Sequence, residues 1–321
     1  MSISRQRIVF ACVLALATNA ALAQGWPAKP LHWIVPFPPG GSTDIAVRTV
    51  ADRLTQVFGQ AVIVENRPGA AGRVGTEYVA KSAADGYTIL AGNDGITSTP
   101  HLYSKLGFDP LEDFVPVTQL SRQPVLLAAH PSLGVDSIAE LVALAKKKPG
   151  LAYATSGSGS PQHIVAEWFA SLAGIKLTHV PYKGGGQAIT DFIGGQVLLA
   201  SLGPGPLIPH YRAGKVKLLA QSPQTRVSAL PEVPTYEEAG VKGLVLEQWY
   251  GVFLPTGTSK EIVVHLSREI VKALADPKVR ERYAQSGLEP VGNTPEQFAA
   301  LVRDDYEKYG RLVRELRIKA N

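Results

Sequence analysis

The chain has 321 residues, 45% hydrophobic and 18% charged, with 31 glycines, 24 prolines and a single cysteine. Its formal net charge of +5 is thinly spread; the one cationic run, Lys146-Lys147-Lys148, ends a predicted helix, where cations answer the negative end of the dipole. No basic stripe interleaved with aromatics marks a nucleic-acid surface, and no segment beyond the N-terminus is long and apolar enough to cross a bilayer as a helix.

Residues 1–23 read as a signal peptide. Arg5 and Arg7 precede an apolar core, Ile8 to Ala17, and Ala21-Leu22-Ala23 has the small-x-small pattern that signal peptidase cuts. A retained anchor is the alternative. Cleavage after Ala23 puts the protein in the periplasm and removes Cys12, so neither a disulfide nor a cysteine metal site is expected. What remains suits two domains of roughly 100–200 residues.

Short β-branched runs then alternate with amphipathic stretches, the pattern of parallel α/β layers. Strand 31–35 leads to a helix over 45–58, strand 61–64, the loop Glu65 to Gly72, a helix over 73–82 and strand 87–91, which ends at Gly92-Asn93-Asp94-Gly95. With the second strand outside the first, the order reverses between strands one and three, and ligands sit at such switch points. A second set follows the apolar run Pro124 to Ala129: helix 137–147, strand 151–155, helix 161–173, strand 177–180, a helix to Ile193, strand 197–202, a helix before Gly214, and strand 217–221. The last part, 259 to 320, reads as helices without a sheet of their own, which should pack back on the first domain. The expected fold class is therefore α/β, with residues 24–122 plus 252–321 as one domain and 123–251 as the other. The chain crosses twice, near 120–127 and 247–253, which makes a hinge.

Two segments carry the functional signal. Pro36-Phe37-Pro38-Pro39-Gly40-Gly41-Ser42-Thr43-Asp44 and Thr155-Ser156-Gly157-Ser158-Gly159-Ser160-Pro161-Gln162-His163 each join a short strand to a helix. A glycine-rich turn before a helix exposes unpaired N–H groups at the positive end of the dipole, which suits an anion. Two such cradles imply one ligand held between two domains. Ser42 and Thr43 read as ligand contacts and also as helix caps. Asp44 would repel a nearby anion, so it reads as a brace or a water-mediated contact. Ser156, Gly157, Ser158 and Gly159 permit close backbone approach, Ser160 caps and Pro161 takes the first helical position. His163 is a ligand donor or a satisfied cap. Tyr182, Lys183 and Gly184 form a third candidate loop, and Asn93 and Asp94 a fourth, unless they only make an Asx turn. Phe37, Trp249 and Tyr250 are candidates to wall the pocket, or core.

At these loops the sequence resembles the Bug, or TctC-type, extracytoplasmic solute-binding proteins of tripartite tricarboxylate transporters. The match runs through Pro36–Asp44, Glu65-Asn66-Arg67-Pro68-Gly69-Ala70, Asp85-Gly86-Tyr87-Thr88, Gly157-Ser158-Gly159-Ser160 and Tyr182-Lys183-Gly184. It continues through Ala213-Gly214-Lys215, Leu230-Pro231-Glu232-Val233-Pro234-Thr235 and Trp249-Tyr250-Gly251 to Gly287-Leu288-Glu289-Pro290. The resemblance implies a type II periplasmic-binding fold with a two-crossover hinge. It also implies a small organic anion, often a carboxylate, held by backbone and hydroxyl donors and ordered water. The implied partners are the membrane permease subunits. Many relatives have an acidic residue near positions 198 and 202; this chain has Leu198 and Leu202, then Gly203-Pro204-Gly205-Pro206, so no contact to a ligand ammonium group carries over.

Two other classes remain. A ligand-presenting component for a membrane sensor would have the same fold. A hydrolase would need Ser158, His163 and Asp191 to meet, yet the Gly-x-Ser-x-Gly elbow, the phosphate loop, the His-Glu-x-x-His helix and the Gly-x-Gly-x-x-Gly turn are all missing. The expectation is a non-enzymatic, cofactor-free monomer that closes when ligand bridges both cradles.

Overall fold

The computed structural model describes residues 25–319; the signal segment and its cleavage point after Ala23 lie outside them. The first sheet begins as the hydrophobic pattern dictates. Strand β1 (Leu31–Val35) buries almost every residue and pairs in parallel with β2 (Val62–Asn66) on one side and β3 (Thr88–Asn93) on the other. Helix α1 (Ser42–Phe58) joins β1 to β2, and α2 (Arg73–Ala80) joins β2 to β3. The order thus reverses at β1 and β3, and the loops after those two strands share one edge, as the sequence pattern requires.

After the one-turn helix α3 (Gly95–Ser98) comes a strand the periodicity did not reveal, β4 (Phe114–Pro124). Its two prolines and scattered polar residues hide the β pattern. Beyond it the chain builds a second sheet: β5 (Leu126–Ala129), α4 (Ile138–Lys147), β6 (Leu151–Thr155), α5 (Pro161–Ala173), β7 (Leu177–Pro181), α6 (Gly185–Ile193), β8 (Leu199–Leu202), α7 (Pro204–Arg212) and β9 (Lys217–Gln221). Its order is β7-β6-β8-β5-β9. Helices α4 and α5 cover one face through Ile138, Leu141, Ile164 and Phe169, and α6 and α7 cover the other through Ile189, Phe192 and Leu207. A sheet buried on both faces explains why its strands read as short continuous apolar runs.

The return strand β10 (Glu247–Pro255) lies antiparallel between β4 and β3, and the two-residue β11 (Glu289–Pro290) closes the first sheet in the order β11-β4-β10-β3-β1-β2. The two crossings meet at one buried serine. Ser222 N–H donates to Val125 O at 3.0 Å, Val125 N–H donates to the Ser222 hydroxyl at 2.9 Å, and Leu246 N–H donates to Ser222 O at 2.9 Å. The Ser222 hydroxyl also donates to Leu246 O. One side chain therefore ties together all three chain segments at the hinge.

Helices α8 (Lys260–Ala275) and α9 (Pro277–Gln285) pack on the first sheet through Val263, Leu266, Ile270 and Tyr283. The last helix, α10 (Pro295–Glu315), opens with a capping box between Thr294 and Gln297. Its first half packs on the first sheet through Phe298 and Val302, but Tyr309, Leu312 and Val313 join the core under the second. The C-terminal segment thus does more than pack back on the first domain. At 21 residues, α10 is long enough to reach both cores.

Gly251 in β10 faces Phe298 so closely that a Cβ built there would lie 2.1 Å from its ring. Gly251→Ala should destabilise the fold by about 1–3 kcal/mol, the usual range for overpacking. Urea unfolding checks this, and an unchanged midpoint would show that Phe298 yields without cost.

Candidate functional site

Helix α1 starts one residue earlier than a serine cap would allow. Gly41 is the N-cap, in extended conformation and with no side-chain cap, so Ser42 and Thr43 sit in the first turn. Their N–H groups have no intrahelical acceptor and point out of the helix end. Asp44 does not face the cleft. Its carboxylate accepts Gly40 N–H at 3.1 Å, Arg48 Nε–H at 3.0 Å and Asn66 Nδ2–H at 2.9 Å, while the same Asn66 amide donates to Phe37 O at 3.0 Å. Asp44 is the brace that fixes the 37–41 loop.

The second sequence-read loop is built differently from the cradle expected of it. Gly157 N–H donates to Thr155 Oγ1 at 3.1 Å, and Gly159 N–H donates to His163 Nδ1 at 3.1 Å. Both amides are therefore occupied within the loop and are not free for an anion. Gly157, Ser158, Gly159 and His163 are buried beside the cleft cavity rather than lining it. The His163 ring stacks on His179 with centroids 3.8 Å apart, and His179 Nε2 lies 2.7 Å from Thr155 Oγ1. Burial, then the neighbouring ring, pushes His163 down to about 3, and burial pushes His179 down to about 4. A neutral His163 keeps Nδ1 available as the acceptor that holds Gly159.

The second sheet instead brings the starts of α6 and α7 to the cleft, with α7 offering few amides because Pro204 and Pro206 carry no N–H. Their N-caps are Gly184 and Gly203, and neither has a side-chain cap. Both helix ends meet the α1 loop at backbone distance. A Cβ on Gly184 would lie 2.7 Å from Pro38 Cδ, one on Gly186 2.7 Å from Pro39 O, and one on Gly203 2.7 Å from Ser42 Oγ. Ser98 also reaches across to donate to Gly159 O at 2.6 Å. The two halves are closed on each other.

Between them lies a cavity of about 30 Å³. Ser42, Thr43, Asn93, Ser156, Gln162 and Tyr250 supply its polar wall, and Phe37, Pro38, Leu202 and Pro206 its apolar wall. Gly41, Gly185 and Gly203 complete the lining. Among the described residues none of the side chains lining it is charged. Ser42 Oγ is buried and finds no hydrogen-bond partner in the protein. Buried hydroxyls are nearly always paired, so this orphan leaves hydrogen-bonding capacity unused at the cavity wall. The Tyr250 hydroxyl lies beside Ser42 and Thr43, and burial keeps it protonated by raising its pKa.

Behind this wall the Gln123 amide donates to Gln248 Oε1 at 2.6 Å and also to the Tyr250 hydroxyl, while the Gln162 amide donates to the same Gln248 oxygen at 3.0 Å. Ser156 Oγ donates to Gln162 Oε1 at 2.9 Å. Glutamines from β4, α5 and β10 thus join hinge to cleft. Sequence reading missed Pro38, Gln162, Gly185, Leu202, Gly203 and Pro206 as lining residues. The bare glycines opening α6 and α7 were the signal available for two of them, Gly185 and Gly203.

Asn93 lines the cavity, its Oδ1 accepting Gly95 N–H at 3.0 Å. Asp94, by contrast, points away. It is fully buried, accepts the Tyr309 hydroxyl at 2.5 Å, and desolvation holds its pKa well above the carboxylate range. Tyr182 donates to Asp191 at 2.8 Å, Lys183 is exposed, and Gly184 is packed on Pro38, so none of the three lines the cavity. Tyr250 walls it, whereas Trp249 points to the opposite side and donates to Asp305 at 2.6 Å. The hydrolase constellation is not assembled: His163 Nδ1 holds Gly159, and Asp191 holds Tyr182.

A family model described as tripartite tricarboxylate transporter family receptor matches residues 46–318. Protein BugT of Bordetella pertussis is 38% identical over 324 residues, covering 98% of each chain. Among solved structures, R. palustris Rpa4515 with adipate is 34% identical, with a TM-score of 0.89 over 92% of this chain and 100% of that one. MatC from Rhodopseudomonas palustris with bound malate is 31% identical, with a TM-score of 0.85 over 90% and 100%.

The stacked histidines predict an acid-sensitive second domain. Above pH 6.5 both rings are neutral, folded or unfolded. Below it the unfolded chain takes up protons that the buried rings refuse, so their contribution to stability falls as pH drops from 6.5 towards 4. Urea midpoints at about pH 7 and about pH 5 should differ, and His179→Asn should reduce the difference. An identical pH slope in that variant would mean the rings are not the groups responsible.

Proposed function

This chain belongs to the tripartite tricarboxylate transporter receptor family, and on that premise we propose that it captures a small organic carboxylate in the periplasm and delivers it to membrane permease subunits. We take residues 24–122 plus 252–321 as one lobe and 123–251 as the other, with β10 (Glu247–Pro255), a strand of the first sheet, and the end of α10 bridging them, and the protein as a monomer. Processing after Ala23 releases it into the periplasm, which intact-mass analysis of the exported protein checks.

The observation that carries the reading is the uncharged cleft with the orphaned Ser42 hydroxyl at the N-terminus of α1, facing the N-termini of α6 and α7. Helix ends and hydroxyls suit an anion, and a cation would find no carboxylate to neutralise it. The adipate and malate bound to the two R. palustris relatives support a carboxylate. Leu202 in the apolar wall argues against a cargo with an ammonium group. No chemistry is assigned to the site, since it holds donors and walls but no nucleophile–base pair.

Calorimetry with a panel of organic acids, malate and adipate among them, tests this. Ser42→Ala should weaken binding by about 1.5–3 kcal/mol, the worth of a hydrogen bond to a charged group. Gly186→Ala should leave folding intact, because its backbone is helical, yet hinder closure, because the new methyl would meet Pro39 O. Lys183→Ala should change affinity little. If Lys183→Ala abolishes binding while the other two do not, a cation and not the helix ends holds the anion.

A further inference from the structure

A second compartment lies beside the carboxylate cleft in the first lobe, with Phe37 and Asn93 in the walls of both. It measures about 10 Å³ and is otherwise faced chiefly by Leu90, Ile96 and Phe108, by Thr76, Thr99 and Arg73, and by the turn at Ala71-Gly72. Its polar side chains are already occupied: the Arg73 guanidinium donates to Ala70 O at 3.0 Å and to Lys105 O at 3.3 Å and lies over the Tyr103 ring. Thr76 Oγ1 donates to Gly72 O at 2.9 Å, Thr99 Oγ1 donates to Gly95 O at 2.5 Å, and Asn93 Oδ1 accepts Gly95 N–H. The compartment therefore offers chiefly methyls and ring edges, a surface that suits hydrocarbon.

The divider is a side chain on a fixed backbone. Asn66 holds Phe37 O, but the Phe37 ring is only half-buried and leans on Gly72, where an added Cβ would sit 3.1 Å from its Cζ. The turn above it is strained: Ala70 and Ala71 have φ of 46° and 57°, the left-handed region that non-glycine residues avoid. Such strain persists only where surrounding structure imposes it, and it concentrates at ligand sites. Here it keeps the turn poised over the apolar compartment.

We propose that Phe37 is the specificity-determining residue of the cleft, its ring partitioning the carboxylate position from an apolar side compartment and so limiting the length of hydrocarbon tail the cargo carries. This rests on the carboxylate reading of the cleft. The ligand class is a carboxylate with an unbranched or phenyl-ended tail, compact in the native protein and longer when the ring is removed.

The test is calorimetry of butanoate, hexanoate, octanoate and phenylpropanoate, with malate and adipate as references. Phe37→Ala should raise the ratio of octanoate to butanoate affinity by about tenfold or more, and likewise that of phenylpropanoate. Ile96→Phe in the Phe37→Ala background should refill the compartment from its opposite wall and cancel the gain. Circular dichroism melts establish that both variants are folded; if Phe37→Ala is not, Phe37→Leu takes its place with a smaller shift in the same direction. An unchanged ratio, a uniform loss for all acids, or a gain that Ile96→Phe does not cancel would overturn the proposal while leaving the carboxylate reading standing. If the native protein binds none of these acids, the carboxylate reading itself falls, and this inference with it.

Discussion

The closing of two lobes through bare backbone is the constraint on which the rest depends. At Gly184, Gly186 and Gly203 a single methyl group would stand 2.7 Å from an atom of the opposite lobe. Any side chain there would hold the helix ends apart, and the starts of α1, α6 and α7 would no longer meet around one cavity. Glycine at a helix start usually weakens the helix, because it caps with no side-chain acceptor. Here that loss is useful, since the donors a serine or aspartate cap would occupy are left for the ligand. Local stability is given up for a shared binding surface.

A closing surface of this kind needs a hinge that moves without losing its hydrogen bonds. At the crossings Ser222 concentrates such bonds, its hydroxyl and backbone engaging Val125 on the outgoing strand and Leu246 on the return. The glutamines Gln123, Gln162 and Gln248 continue this from the hinge strands to the cleft wall. Buried amides are costly unless paired, so the network favours arrangements of hinge and cleft that keep the bonds made. Helix α10 adds a further link by placing Phe298 in one core and Leu312 in the other. Rotation of the lobes must repack or bend that helix.

Most elements were legible because each has a local cause. Apolar runs of strand length, the Ser160-Pro161 start of α5 and the glycine ends of α1 and α5 specify themselves without reference to distant residues. Strand β4 was not legible, since its side chains answer to a hinge and not to a simple two-faced sheet. The first cradle was read correctly as a loop but not in its cap, because Gly41 takes the position that Ser42 seemed suited to fill. The second failed for a physical reason: a glycine-rich turn exposes amides only if nothing nearby accepts them. Thr155 and His163 both do. That depends on side-chain rotamers and on His179 from another strand, information that no local spacing contains.

An uncharged cleft also bears on selectivity and release. A buried arginine would bind a carboxylate strongly, but it would remain a desolvated, unpaired charge once the ligand left. Helix ends and hydroxyls carry partial charges that water can satisfy when the lobes part, so the empty site is tolerable. With the lobes in contact, the starts of α1, α6 and α7 line one cavity. A ligand too large to permit that contact loses the amides of the opposite lobe as well as its fit. Phe37, Leu202 and Pro206 form the apolar wall of this cavity opposite the hydroxyls of Ser42, Thr43 and Tyr250, so shape and polarity are set by separate residues.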